Sequence, residues 1–118
     1  MIRKPEAFRS EVRENMRGGA GSVRIEHLWE PGSEMKSANR MVSRLIIGPG
    51  CGIGPHRHDG EDEIFYILQG TAEVDDDGSC RILTVGDTIL TGDAAHSIKN
   101  IGDDTLVVLA MISTHKPN

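Results

Sequence analysis

The chain has 118 residues, the size of a single domain, and leaves no room for a second one of similar size. Apolar residues make up 37%, 14 glycines stand beside them, and charged residues make up 26%; this ordinary globular balance excludes wholesale disorder, and no apolar run approaches the ~18 residues of a membrane span. The net charge of −5, from 18 acidic and 13 basic residues, comes without a basic patch or stripe and argues against nucleic acid or an anionic membrane as partner.

In chain order, Met1–Glu6 carries basic residues with no apolar segment behind them, so no secretory leader is expected there. The stretch Glu6–Met16 reads as a short helix and ends at Gly18-Gly19-Ala20-Gly21. Beyond it, glycine and proline cut the chain into runs rich in Val, Ile, Leu and Thr. These predict strands over Val23–Trp29, Met41–Ile47, Glu63–Leu68, Thr71–Val74, Cys80–Val85, Thr88–Thr91, His96–Lys99 and Leu106–Ile112. Asp76-Asp77-Gly78 predicts a hairpin turn, because Asp and Gly tolerate positive φ. The acidic triplet Asp75–Asp77 is read as the solvated tip of that hairpin and not as a calcium loop, which needs more oxygen ligands in a fixed pattern. Cys51 and Cys80 form no CxxC motif and read as reduced thiols of a cytosolic protein.

Five histidines carry the chemical signal. His56-Arg57-His58 follows a segment rich in glycine and proline that cannot be helical. In an extended chain residues i and i+2 share a face, so both imidazoles can reach one metal ion. Glu63 opens the apolar run Glu63-Ile64-Phe65-Tyr66-Ile67-Leu68 and shares a face with Phe65 and Ile67. A carboxylate on such a face is costly to bury unless it is paired or bound to a cation. His96, at the start of a later strand, is a third candidate imidazole, and three nitrogens with one carboxylate oxygen form a divalent-metal set. His27 reads as a packed or exposed strand residue, and His115 as part of a disordered tail.

These residues resemble the cupin family. Its first motif runs glycine, five residues, His-x-His, three or four residues, glutamate, six residues, glycine. Gly50, His56, His58, Glu63 and Gly70 match every fixed position. The second motif begins at Gly86 and ends at His96-Ser97-Ile98-Lys99-Asn100; Gly92 stands in its proline slot, Ala94 in its second glycine slot, and His96 arrives one residue early, which implies a shortened turn. The resemblance spans about Arg40 to Ile112. It implies an all-β fold, a double-stranded β-helix or jelly roll, with a short N-terminal extension over residues 1–22, the barrel over 23–114 and a tail over 115–118. It also implies a metal inside one end of the barrel, held by His56, His58, Glu63 and His96, with Glu63 preferred over its neighbours Glu61 and Asp62.

Four ligands saturate a tetrahedral zinc but leave open positions on octahedral manganese or iron, so manganese and iron lead, with nickel and zinc behind. A divalent ion beside one carboxylate leaves about +1 at the centre, which favours a small anionic organic ligand. Within the family the chain looks most like short oxalate-binding or oxalate-decarboxylase-like members, through Met16-Arg17-Gly18-Gly19-Ala20-Gly21, Leu90-Thr91-Gly92-Asp93 and His96-Ser97-Ile98. Three functions follow: a metal-dependent enzyme acting on a small carboxylate by decarboxylation or dioxygen chemistry, a non-catalytic sensor or carrier of a small acid or sugar, and a structural metal barrel. Glu61 and Asp62 are the nearest candidate proton donors, while Arg40 and Arg44 are expected to face outward. A homodimer in the cytoplasm is expected, with the strand Val23–Trp29 crossing to the partner.

Overall fold

The alternation of apolar and polar residues between glycine-rich turns produces ten strands among the described residues, which are 1–115 of a computed structural model. They are β1 (Arg9–Glu14), β2 (Ser22–His27), β3 (Asn39–Ile47), β4 (Gly52–Arg57), β5 (Glu61–Gln69), β6 (Ala72–Asp76), β7 (Ser79–Leu83), β8 (Thr88–Gly92), β9 (Ala95–Asn100) and β10 (Leu106–Thr114). Every pairing is antiparallel. Six strands form one sheet in the order β1-β2-β3-β10-β5-β8, and four form the other in the order β4-β9-β6-β7. The two sheets enclose one apolar core in a jelly roll, and no helix is long and apolar enough to cross a membrane.

Period-two burial places the core. On β5, Glu63, Phe65 and Ile67 point inward while Ile64, Tyr66 and Leu68 point out. Val23 and Ile25 from β2, Leu45 and Ile47 from β3, and Leu106 and Val108 from β10 close the same interior from the larger sheet. Ala72, Val74 and Ile98 close it from the smaller one. The hairpin between β6 and β7 turns on Asp77 and Gly78, with φ of 50° and 96°, and the Gly78 amide donates to Asp75 Oδ1 at 2.7 Å. The acidic triplet is thus consumed by the turn.

The helix expected over Glu6–Met16 is replaced by a short 3-10 turn, Pro5–Ala7, and the edge strand β1. The charges explain the outcome. Arg9, Glu11 and Arg13 alternate with period two, and Glu11 accepts from Arg9 Nη1 at 3.0 Å and from Arg13 Nε at 2.6 Å. Such i,i+2 pairs meet on a strand and not on a helix. The opening strand ends at His27, short of the expected Trp29, and lies between β1 and β3 of the same chain in the larger sheet. His115 is also ordered: its amide donates to the Gly60 carbonyl at 2.9 Å, while the rest of the expected tail, 116–118, lies outside the described residues. Both cysteines are free.

The turn between β1 and β2 lies directly against β4. A Cβ added at Gly54 would stand 2.0 Å from the Arg17 carbonyl oxygen, and one added at Gly19 would stand 2.2 Å from the Gly52 carbonyl oxygen. Backbone touches backbone here, and only glycine permits it. Gly54→Ala should therefore destabilise the fold by about 1–3 kcal/mol in denaturant titration. Gly48→Ala, whose Cβ would meet nothing within 4 Å, should change it by less than about 0.5 kcal/mol.

Ion pairs make a second prediction. The Arg13 guanidinium beside Glu11, the Arg3 guanidinium beside Glu34 and the Arg40 guanidinium beside Glu61 hold all three carboxyls well below the ordinary carboxylate value of 4.5, at about 2. Below 4.5 the unfolded chain takes up protons at these positions that the folded chain refuses, so acid favours unfolding. Their stabilisation should be complete above 4.5 and lost as pH falls toward about 2; a denaturation midpoint that does not fall over this range would contradict these pairs.

Candidate metal centre

Four elements deliver polar side chains to one mouth of the barrel. β4 and β9 pair so that His56 stands directly across from His96. Strict alternation from the buried Ile53 would turn His56 outward. A register shift between Ile53 and His56, over Gly54-Pro55, adds the residue that re-aims His56 and His58 into the interior. Glu63 enters from β5 in register with Thr91 of β8. The shortened turn between β8 and β9 closes on Asp93 at φ 49°, so His96 keeps its inward position although the motif is a residue short.

The four predicted ligands converge: one donor atom from each of His56, His58, Glu63 and His96 lies within 4.8 Å of all the others. His96 Nε2 is 3.0 Å from His56 Nε2 and 3.0 Å from His58 Nε2. Glu63 Oε1 is 2.8 Å from His58 Nε2, 2.9 Å from His96 Nε2 and 3.9 Å from His56 Nε2. His58, Glu63 and His96 are buried, and His56 is partly buried at the mouth. Burial alone pushes the Glu63 carboxyl up, but the surrounding imidazoles outweigh it and hold the group below its ordinary value.

The outer ring nitrogens fix how the inner ones present themselves. His56 Nδ1 donates to the Gly54 carbonyl at 2.8 Å, and His58 Nδ1 donates to Glu61 Oε1 at 2.7 Å. A carbonyl and an ionised carboxylate only accept, so the neutral form of each ring carries its proton on Nδ1 and offers a lone pair at Nε2. His96 Nδ1 pairs with Thr91 Oγ1 at 2.8 Å, and its ring stacks on Phe65 with centroids 4.8 Å apart. Lone pairs about 3 Å apart beside a carboxylate repel one another unless a cation lies between them. The residues present therefore fit a divalent metal ion.

The inner wall extends past the cluster into a cavity of about 160 Å³, lined also by Ile25, Met41 and Leu45 and by Arg13, Arg17, His27 and Arg40. His27 is buried on the cavity wall; its Nε2 is 3.1 Å from Glu11 Oε2 and its Nδ1 is 3.0 Å from Ser43 Oγ. Arg40 corrects an expectation, since it lines the mouth and makes two bonds to Glu61, at 2.9 and 2.8 Å. Arg44 does face out, to Glu26 at 2.8 Å. Glu61 is pinned by Arg40, whose guanidinium holds its carboxyl well below the ordinary carboxylate range, at about 2. Asp62 is half-buried, beside His115 at 3.5 Å. Asn100 clamps the far end of β9, donating to the carbonyls of Ile47 at 2.9 Å and Asp104 at 2.8 Å.

Sequence reasoning missed Arg17 and the inward side of His27. Strand alternation held the signal for His27, because Val23, Ile25 and His27 share a face. Arg17 stands within Met16–Gly21, a stretch that carries the resemblance, but its place at the mouth depends on a turn that the spacing alone does not show.

The cupin domain family matches residues 43–112. An oxalate-binding protein of Thermotoga maritima is 36% identical over 113 residues, covering 95% of this chain and 93% of that one. A crystal structure from Thermotoga maritima, described as a predicted oxalate decarboxylase, superposes with a TM-score of 0.91 at 36% identity, covering 97% of this chain and 99% of the other. An RmlC-like cupin from Shewanella frigidimarina shares the fold at 16% identity, with a TM-score of 0.73 over 98% of this chain and 91% of that one. With the first motif complete, its residues gathered at one mouth of a jelly roll, and these relatives spanning nearly the whole chain, the protein belongs to the cupin family.

Proposed function

We propose that this cupin binds a small carboxylate, oxalate or a close analogue, at a divalent ion held by His56, His58, Glu63 and His96. The observation that carries the reading is the convergence of inward lone pairs with a buried carboxylate in a cavity otherwise walled by apolar side chains and arginines. The similarity to a protein named for oxalate binding supports the choice of ligand.

Manganese or iron fits the donor spacing better than zinc. Bonds of about 2.1 Å put neighbouring donors about 3.0 Å apart on an octahedron and about 3.4 Å apart on a tetrahedron. Four of the donor pairs here are 2.8–3.0 Å apart. A bound divalent ion supplies a positive centre that attracts carboxylate oxygens. The chain's own residues orient the imidazoles through Gly54, Glu61 and Thr91, exclude water with Phe65, Leu45 and Ile25, and keep Glu61 ionised through Arg40. Binding is the reading we adopt, because the cluster and the cavity beside it supply it with their own donors and charges. The protein is proposed to work as a cytoplasmic homodimer.

Elemental analysis and calorimetry test this together. Protein purified without an affinity tag and reconstituted with Mn(II) should hold one ion per chain and bind oxalate. His58→Ala should lose most of the metal and, with it, oxalate binding. Full metal occupancy in that variant would remove His58 from the site, and a metal-loaded wild type that ignores oxalate would defeat the small-acid reading.

A further inference from the structure

Four side chains outside the cluster that can carry positive charge line the cavity: Arg13, Arg17, His27 and Arg40. Three have partners. Arg13 Nε is 2.6 Å from Glu11 Oε1, His27 Nε2 is 3.1 Å from the other oxygen of the same carboxylate, and Arg40 pairs with Glu61 at 2.8 Å. Among the described residues no carboxylate pairs with Arg17.

The backbone at Arg17 is equally distinctive. Its φ of 53° and ψ of 30° lie in the left-handed region, where a glycine would be relaxed and an arginine is strained. Contact with Gly54 holds it there, on the strand that ends in His56 and Arg57. A strained residue locked against the segment that carries a candidate ligand has a fixed position relative to the cluster, and strain of this kind persists where placement matters.

We propose that Arg17 binds the second charge of the ligand and makes the cavity selective for small dianions, dicarboxylates above all, over monoanions. The proposal rests on the small-acid reading. A divalent ion and Glu63 leave about +1; Arg17 adds +1, while Arg13 and Arg40 are offset by Glu11 and Glu61. The complement of about +2 is a ligand of charge −2. The cavity of about 160 Å³ is small beside the ~300–1,000 Å³ of drug-sized ligand sites, which suits a ligand of a few carbon atoms. A guanidinium also matches a carboxylate in shape, with two parallel N–H donors for its two oxygens.

The test compares oxalate, a dianion, with glycolate, a monoanion of similar size that also chelates, by calorimetry on the Mn(II)-loaded full chain. Arg17→Gln should weaken oxalate by about tenfold or more, the effect of one charge-assisted contact, and glycolate by less than about threefold. Metal content should not change. Arg17→Gly guards against a folding artefact: glycine relaxes the left-handed backbone, so this variant should unfold at no lower denaturant concentration than wild type and still lose the oxalate preference. Equal weakening of both acids, or unchanged oxalate affinity, in the folded variants would overturn the role of Arg17 and leave the small-acid reading standing. A metal-loaded wild type that binds neither acid would overturn both.

Discussion

Three imidazole nitrogens and one carboxylate oxygen are confined within 4.8 Å of one another at the mouth of an apolar barrel. Such a constellation is costly to bury without positive charge, and a divalent cation at the centre fits its donor set. Much of the local architecture serves that constraint. The bulge at Gly54-Pro55 turns two histidines inward, the short turn at Asp93 returns His96 to the same level, and the in-register pair Glu63 and Thr91 supplies both an inner oxygen and the outer support for an imidazole.

The second layer matters as much as the first. Each imidazole is fixed by a different kind of partner: a backbone carbonyl for His56, a carboxylate for His58, a hydroxyl for His96. The carboxylate is itself anchored by Arg40, so the chain Arg40–Glu61–His58 runs from the rim to the cluster. An arginine that fixes a glutamate cannot also serve the ligand freely, and the same holds for Arg13 and Glu11. Partnered charges build the wall of this cavity, and Arg17 is left as the cation with charge to spare.

Much of this was legible in the chain itself. The strands follow from apolar alternation between glycine turns and the shared face of His56 and His58 from period-two geometry, while the jelly roll and the joining of Glu63 and His96 to that pair follow from the resemblance to the cupin motifs. Two features were hidden for physical reasons. The first segment carries few apolar residues, so its strand character lay in the alternation Arg9, Glu11, Arg13, a charge pattern with no hydrophobic period behind it. β4 was masked by Gly52, Gly54 and Pro55, residues that usually end strands but here allow the β1–β2 turn to touch its backbone and let the strand bulge. Arg17 lies in a stretch that carries the resemblance, but its placement depends on that contact between distant segments. The pairing of Glu61 with Arg40 spans 21 residues and is likewise a product of the assembled sheet.

The most direct measurement is anomalous X-ray diffraction from crystals of the Mn(II)-reconstituted protein. The account predicts a single strong anomalous peak about 2.0–2.3 Å from the Nε2 atoms of His56, His58 and His96 and from a Glu63 carboxylate oxygen. A metal-replete crystal with no peak among these four side chains, or with its ion bound elsewhere, would contradict it.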